Sequence, residues 1–481
     1  MFPAIRMFTC ALAAAVALFD VACGAGEVAP ASEATRAENG LAMYAKLLCS
    51  GVFVVGREPD EFVRNDLQRA GQGLPEWSEI EIDVDRKRKS VTLKAPGIPA
   101  RTAVFCGDQG CVLLPRGAAN VFFQPVRLES SLPDRATQPW PQGDRLDTTT
   151  QPDHVDADAL AAALDIAFDD ADQDVPQKTR ALLVVYRGQI VAERYAPGFD
   201  RRTRHICWSM GKSITSALIG ILVGNGDFKV DDPAPIAAWR QADDPRGRIT
   251  ISDLLHMSSG LDFGRPNDPA AMFTAADHHR AVYFGAVDVF DYCTGRELEH
   301  APNTVWRYRN CDPLSLGMIV RQMVESRGGS YLAFPQRALF DKIGIRDMVL
   351  ETDPYGNFIM TGFEYGTARD WARFGLLHLQ DGVWNGERIL PEGWIDYITR
   401  PAPADPDQKY GALFWLNRGG RYETLPRDMY WAAGHHGQIT LVIPSREMVI
   451  VRQGHSAQGG FDPYWEQVVG RILSACKPDG A

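Results

Sequence analysis

The feature that most constrains the fold is an apolar segment from Cys207 to Gly224. Its aliphatic residues recur at helical spacing, which predicts a buried helix. The helix ends at 224–226, where a glycine suits a left-handed C-terminal cap. Ser209 and Lys212 are three residues apart, so their side chains lie on one helical face. A lysine whose pKa is lowered by burial can take the serine proton, and the serine then becomes a nucleophile.

The expected N-terminus of this helix supports the same chemistry. It supplies free N–H groups and the positive end of the helix dipole beneath the serine, and both suit a developing oxyanion. However, a Ser-x-x-Lys pattern also occurs by chance on ordinary core helices. The remainder of the chain must therefore decide whether the two residues form a site.

Length and composition limit the class of protein. The chain has 481 residues, which suggests one large domain and a smaller one. A hydrophobic content of 45% and a charged content of 23% are typical of globular proteins. The formal net charge of -11 argues against nucleic acid as a partner. No long apolar run follows the N-terminal region, so we expect no membrane span in the mature protein.

Residues 1–26 resemble an export signal. Arg6 precedes an apolar run from Met7 to Phe19, and small residues follow it. We therefore expect a periplasmic or secreted protein. Cys23 is an alternative lipid-anchor site, although Asp20 stands where a lipobox prefers leucine. An uncleaved tail is the third alternative.

An oxidising compartment would allow disulfides, and seven cysteines follow the predicted signal. Because the number is odd, at least one stays free or pairs between chains. Cys49 with either Cys106 or Cys111 is one expected bridge. Cys293 with Cys311 is a second. No cysteine and histidine spacing resembles a zinc site, and we expect no metal or organic cofactor.

Residues 27–150 form a predicted accessory domain and linker. A short helix at 40–48 leads to Cys49, and alternating residues predict strands at 80–84 and 90–93. A hairpin is expected around 107–110, and the Pro-rich stretch 131–147 is typical of a linker. This region holds no catalytic constellation.

Residues 151–481 form the predicted main domain. A helix is expected at 155–168, and strands at 180–186 and 189–194 are expected to be central. Two further strands, at 431–443 and 447–452, precede a C-terminal helix, and the middle of the domain is mostly helical. We predict an α+β fold (an α/β sandwich), in which helices flank an antiparallel β-sheet, together with a helical lobe. The cleft between them is the expected site.

Two stretches carry candidate chemistry beside Ser209 and Lys212. Tyr308 could be held partly as phenolate near a lysine ammonium and act as general base or acid. Asn310 could orient that lysine or a substrate carbonyl. As a plain alternative, the stretch is an aromatic loop that packs on the core.

The second stretch is His-His-Gly at 435–437. If it continues a strand, His435 and Gly437 share one face. The glycine would let a substrate lie close to the strand. The Gln438 backbone N–H could then serve as an oxyanion donor together with that of Ser209. The alternative is a pair of surface histidines in a turn. A third stretch, 249–261, predicts a short helix and a glycine turn that support the cleft.

These motifs together carry a resemblance. Ser-x-x-Lys at 209–212, Tyr-x-Asn at 308–310 and His-x-Gly at 435–437 follow the order of the serine β-lactamase and penicillin-binding-protein superfamily. The stretches 251–261 and 366–374 resemble two further recurrent segments of that family. Within it, the chain looks most similar to the class C-like branch with its esterases and 6-aminohexanoate-dimer hydrolases.

The resemblance implies a two-step acyl transfer with Ser209, Lys212 and Tyr308 as catalytic residues. The substrate would be a small ester, amide or peptide-like molecule. Family members that act on β-lactams or cell-wall peptides carry a lysine where this chain has His435, and a neutral histidine gives up that permanent charge. We therefore expect an esterase or amidase. A β-lactamase or D-amino-acid carboxypeptidase is the first alternative, and a non-catalytic binding protein is the second.

Overall fold

The computed structural model describes residues 33–67, 76–147, 154–170, 176–262, 279, 281–456 and 463–477. The predicted export signal and Cys23 lie outside these residues. None of the helices within them is both long enough and apolar enough to cross a membrane.

Helices and strands are numbered in chain order. The helices are α1 (Glu33–Ser50), α2 (Pro59–Phe62), α3 (Ala157–Phe168), α4 (Gly211–Gly224), α5 (Ile251–Leu255), α6 (Val289–Thr294), α7 (Cys311–Ser326), α8 (Ala368–Leu379), α9 (Trp394–Ile398) and α10 (Pro463–Ala475). The strands are β1 (Glu81–Asp85), β2 (Ser90–Ala95), β3 (Ile98–Phe105), β4 (Cys111–Leu113), β5 (Thr179–Tyr186), β6 (Gln189–Tyr195), β7 (His205–Ile206), β8 (Val349–Leu350), β9 (Glu364–Gly366), β10 (Val383–Trp384), β11 (Glu387–Arg388), β12 (Trp415–Leu416), β13 (Tyr430–Gly434), β14 (Gln438–Ile443) and β15 (Met448–Gly454).

The centre of the molecule is an antiparallel sheet with the strand order β12-β13-β14-β15-β5-β6. Because side chains alternate across a strand, β5 contributes to two cores. Leu183 packs with α4 and α8 on one face, whereas Leu182 packs with α3 and α10 on the other. The predicted fold class, a sheet flanked by helices with a helical lobe, is confirmed.

The prediction that both strands at 180–186 and 189–194 are central is only half correct. β5 is buried along nearly its whole length, but β6 forms the edge of the sheet and its side chains are mostly half-buried. The polar residues of β6 explain this position. Glu193, for example, reaches sideways to accept a hydrogen bond from Arg369 Nη2 at 2.6 Å.

Helix α4 is buried on all sides, as its apolar sequence predicts. Two of its buried hydroxyl groups hydrogen bond to backbone carbonyls outside the helix. The Ser213 hydroxyl donates to the Leu413 carbonyl at 2.8 Å, and the Ser216 hydroxyl donates to the Ala412 carbonyl at 3.0 Å. At Gly220 the missing side chain leaves room for the ring of Trp394. The helix therefore offers a rigid base for the residues at its N-terminal end.

In the N-terminal segment, strands β1 to β4 form an antiparallel sheet in sequence order, in agreement with the predicted hairpins. Of the two expected partners for Cys49, the structure pairs it with Cys111, and Cys106 stays free. The expected Cys293–Cys311 bridge is wrong, because both thiols are free. The two thiols share a hydrogen bond, and burial raises the pKa of Cys293, which disfavours the reactive thiolate.

The N-terminal segment packs into the remainder of the molecule. Phe363 and Phe284 lie in one apolar cluster with residues of α1, β2 and β3. The predicted linker at 131–147 also lies on the body of the protein. Trp140 donates to the Gly188 carbonyl at 2.9 Å, and Arg373 Nε donates to that of Pro141 at 2.7 Å.

Candidate active site

Ser209 lies in a single 3-10 turn, Trp208–Met210, between β7 and α4. We call this the nucleophile turn. The sequence predicted Ser209 in the first turn of the helix, whereas α4 itself begins at Gly211. Trp208 has a φ of 51°, a left-handed conformation that costs energy for a side chain of this size. The structure thus holds the candidate nucleophile in a strained turn at a helix N-terminus.

The predicted pairing of Ser209 and Lys212 is present. Lys212 Nζ lies 2.9 Å from Ser209 Oγ and donates to the Thr361 carbonyl at 3.1 Å. The side chain of Lys212 is 1% exposed, and burial lowers its pKa to about 7. A substantial fraction is therefore the free amine near neutral pH, which is the form that can accept a proton.

Tyr308 lies in the extended segment before α7. Its ring centroid is 4.9 Å from Lys212 Nζ, and its side chain hydrogen bonds Ser209. Trp415 stacks on the ring with centroids 5.3 Å apart, and Tyr410 meets it edge-on. The predicted partial phenolate is wrong, because burial among these rings raises the pKa of Tyr308 and the hydrogen bond with Ser209 offsets this only in part. Tyr308 is a neutral phenol.

Asn310 is buried and stands directly before α7. Among the residues that the structure describes, no hydrogen bond joins its amide to Lys212. The Thr361 carbonyl holds the ammonium instead. The expected role of Asn310 toward a substrate carbonyl stays a prediction.

The stretch around His435 is not part of one strand, so the predicted alternation of faces is wrong. β13 ends at Gly434, a turn covers His435–Gly437, and β14 begins at Gln438, which pairs with Gly434. His436 and Gly437 have φ values of 62° and 77°, which a tight hairpin turn requires. Gly437 therefore allows the backbone conformation of the turn.

The turn at 435–437 lies against the nucleophile turn. His435 contacts the Trp208 ring edge-on, with centroids 5.6 Å apart. His436 stacks on His455 with centroids 4.0 Å apart, and its Nδ1 bonds the Ser456 carbonyl at 2.8 Å. Burial lowers the pKa of His436 to about 3 and that of His455 to about 2, so both rings are neutral.

Gln438 is buried at the start of β14. Its side chain is committed to β15: Nε2 donates to the Gly454 carbonyl at 2.5 Å, and Oε1 accepts from the Gly454 N–H at 3.2 Å. Arg452 Nη1 donates to the carbonyls of His436 and Gly437, each at 2.8 Å. These bonds fix the backbone on both sides of the N–H that was predicted to serve as an oxyanion donor.

The stretch 249–261 forms the predicted short helix and glycine turn. Thr250 and Asp253 form a capping box at the start of α5, and Gly260 has a φ of 79°. The segment also positions Tyr308, because the Met257 carbonyl accepts the N–H of Arg307 at 3.0 Å.

Three residues near Ser209 were missed from the sequence. The Thr361 carbonyl accepts from Ser209 and Lys212, and also from Tyr283 Oη at 2.7 Å. A backbone acceptor of this kind leaves no sequence signal. Glu364, whose carboxylate accepts the Gly211 N–H at 2.8 Å, could have been noticed as a charge inside an apolar window.

Comparisons with known proteins show which family the chain resembles. The model of a family described as Beta-lactamase matches residues 169–468. The 6-aminohexanoate-dimer hydrolase of Paenarthrobacter ureafaciens is 25% identical over 317 residues, which are 61% of this chain and 76% of that protein.

Solved structures show the same fold. A Bacillus anthracis protein described as a 6-aminohexanoate-dimer hydrolase superposes with a TM-score of 0.55 at 22% identity, covering 72% of this chain and 89% of the other. A penicillin-binding protein homologue from Caulobacter crescentus gives a TM-score of 0.51 at 14% identity, covering 68% and 99%.

Proposed function

The chain belongs to the Beta-lactamase family and is a serine hydrolase, and from this premise we propose that it cleaves an ester or amide bond through an acyl-enzyme on Ser209. One observation carries the proposal: Lys212 Nζ lies 2.9 Å from Ser209 Oγ in a buried setting that lowers the lysine pKa to about 7. A serine hydroxyl becomes an effective nucleophile when such a base takes its proton.

In the proposed acylation, the Ser209 oxygen attacks the substrate carbonyl carbon while its proton passes to the free amine of Lys212. Tyr308 is a neutral phenol hydrogen bonded to Ser209. It gives its proton to the leaving group as the tetrahedral intermediate collapses, and the Lys212 ammonium returns a proton to it. Water then attacks the acyl-enzyme by the reverse route, and the acid product leaves.

The negative charge of the intermediate would be stabilised by two backbone N–H groups, that of Ser209 just before α4 and that of Gln438 at the start of β14. Preorganised donors of this kind are worth roughly 3–4 kcal/mol each in the transition state. The hydrogen bonds that anchor the 435–437 turn and β15 keep the second donor fixed before the substrate arrives.

We propose small esters and linear amides as substrates. His435 contacts Trp208 of the nucleophile turn. By the family resemblance of the His-x-Gly motif, it stands where carboxylate-binding members would carry lysine. A histidine lacks the permanent positive charge that holds a substrate carboxylate. A relative named 6-aminohexanoate-dimer hydrolase supports the amide option.

We also propose that the protein is exported, either free or with a lipid on Cys23. The Cys49–Cys111 disulfide supports this, because such bonds persist in oxidising compartments. Cell fractionation followed by non-reducing electrophoresis tests it. A reduced cytoplasmic protein would contradict the proposal.

The proposed function is tested with p-nitrophenyl acyl esters, linear amides and nitrocefin. Ser209→Ala should abolish turnover of every substrate that the wild type cleaves. Ser213→Ala is the matched control: it removes a buried hydroxyl from the same helix, one that bonds Leu413, and should keep the activity. Turnover that survives in Ser209→Ala would exclude the proposal, and preferential cleavage of nitrocefin would redirect it to β-lactams.

A further inference from the structure

One buried carboxylate beside the nucleophile turn takes no part in the proton route described above. Glu364 is the first residue of β9 and is fully buried. Its backbone carbonyl accepts the Cys207 N–H at 2.9 Å, and its Oε1 accepts the Gly211 N–H at 2.8 Å. Cys207 and Gly211 flank the nucleophile turn on either side, so this single residue holds both ends of it.

Gly211 makes the contact possible. Its φ of -58° is ordinary for a helix, so the residue is not needed for backbone freedom. A Cβ at this position would instead collide with Glu364 Oε2. The glycine therefore lets the carboxylate lie directly against the first turn of α4, next to the backbone of Lys212.

Among the described residues, Lys212 supplies the positive charge that acts on Glu364. Oε2 is buried and has no hydrogen-bond partner among the described residues. The charged and titratable groups that act on Glu364, or on which it acts, are Lys212, Glu351, Tyr308, Tyr283, Tyr365 and Cys207. Lys212 is the cation of this set. Burial raises the pKa of Glu364 well above its ordinary value, and the Gly211 N–H and the charge of Lys212 oppose this in part, so Glu364 ionises only where these partners favour its charged form.

We propose that Glu364 is a positioning residue that fixes the nucleophile turn and sets the pH at which Lys212 releases its proton. The inference rests on the proposed function, because it concerns the base of that reaction. An ionised Glu364 favours the ammonium form of Lys212. It therefore opposes the effect of burial, and it also stabilises the ammonium that forms when Lys212 takes the Ser209 proton.

The test measures the rate at which a fluorophosphonate probe labels Ser209, from about pH 5 to about pH 9, a range that brackets the expected midpoint. Glu364→Gln keeps an oxygen for the Gly211 N–H but removes the charge. The labelling midpoint should fall by about one pH unit or more, with no loss of thermal stability. A residue with only a structural role would leave the midpoint unchanged, and that result would overturn the inference.

Two further variants complete the experiment. Glu351→Gln is the matched control, because Glu351 is equally buried but bonds Lys46, Ser50 and Cys111 rather than the nucleophile turn. Its midpoint should stay near that of the wild type. Glu364→Leu removes the charge and also the acceptor of the Gly211 N–H. Its labelling midpoint should therefore fall as in the glutamine variant, and its labelling should also be slower at every pH. It supplies the measurement if the glutamine variant does not fold.

The outcomes separate the two proposals. If the probe labels the wild type and the midpoint does not move in either Glu364 variant, only the role of Glu364 is excluded. If the wild type is not labelled at any pH, the proposed function is excluded and this inference falls with it.

Discussion

The protonation state of Lys212 is the residue-level property on which the proposed reaction depends. Burial lowers its pKa to about 7. Below that pH the amine already holds a proton and cannot accept the one from Ser209. Activity should therefore fall as the pH drops through about 7 and level off above it.

A pH profile of kcat/KM with a p-nitrophenyl ester checks this prediction. Lys212→Ala should lose most activity, and its residual kcat/KM should no longer fall as the pH drops through about 7. A wild-type midpoint close to the ordinary lysine value of 10.5 would show that burial does not lower the pKa of Lys212. A midpoint near pH 7 that persists in Lys212→Ala would show that Lys212 is not the base.

The hydroxyl of Tyr308 is the second group that the reaction requires. Tyr308→Phe keeps the ring that stacks on Trp415, so we expect an unchanged melting temperature. Loss of the proton donor should lower kcat by a factor of about 10²–10⁴. Tyr410→Phe, which alters a neighbouring buried ring, is the control and should retain activity. Equal activity in both variants would remove Tyr308 from the mechanism.

At the scale of elements, the turn at 435–437 connects two core strands and touches the nucleophile turn. Gly437 has a φ of 77°, and a Cβ there would collide with Arg452 Nη1, which holds the turn through two carbonyls. Gly437→Ala should lower stability by more than about 1 kcal/mol and reduce kcat.

Gly198→Ala is the control that distinguishes the cost of backbone strain at a positive φ from the cost of the collision with Arg452. Gly198 also has a positive φ, of 85°, but open space surrounds it. This variant should show the conformational cost alone and keep its activity. Chemical denaturation and kinetic assays of both variants give the comparison, and equal losses would show that the Arg452 contact has no role.

The same elements show how far the sequence could lead. Alternating residues predicted β1 and β2, the branched apolar composition of 180–186 predicted β5, and helical spacing predicted α3 and α4, because these patterns reflect burial directly. The turn at His435 was only the alternative to a continuous strand, since a left-handed histidine such as His436 carries no local signal. The neutral state of Tyr308 escaped prediction, because it depends on rings that are about a hundred residues away along the chain, such as Trp415.

At the scale of the whole molecule, the role of residues 27–150 is still a prediction. The structure ties this segment to the body through a buried ion pair, Lys46 Nζ to Glu351 Oε2 at 2.8 Å, and through the apolar cluster around Phe363. We infer that the segment and the hydrolase part unfold together in one transition.

Lys46→Met tests that inference, because it leaves Glu351 buried without its cation. The whole protein should lose roughly 3–5 kcal/mol of unfolding free energy. Lys94→Met is the control, since its pair with Glu81 is exposed and should not affect stability measurably. Calorimetry should show one shifted peak. Two separate peaks, of which only one moves, would show that the segment is an independent domain.

The central claim is that Ser209 becomes covalently acylated. Intact-protein mass spectrometry, after brief mixing with a p-nitrophenyl ester at a pH where Lys212 is deprotonated, tests it most directly. We predict one added acyl group in the wild type, located by peptide mapping to Ser209 and absent from Ser209→Ala. An adduct on another residue, or ester cleavage by the wild type without any adduct under single-turnover conditions, would contradict the account.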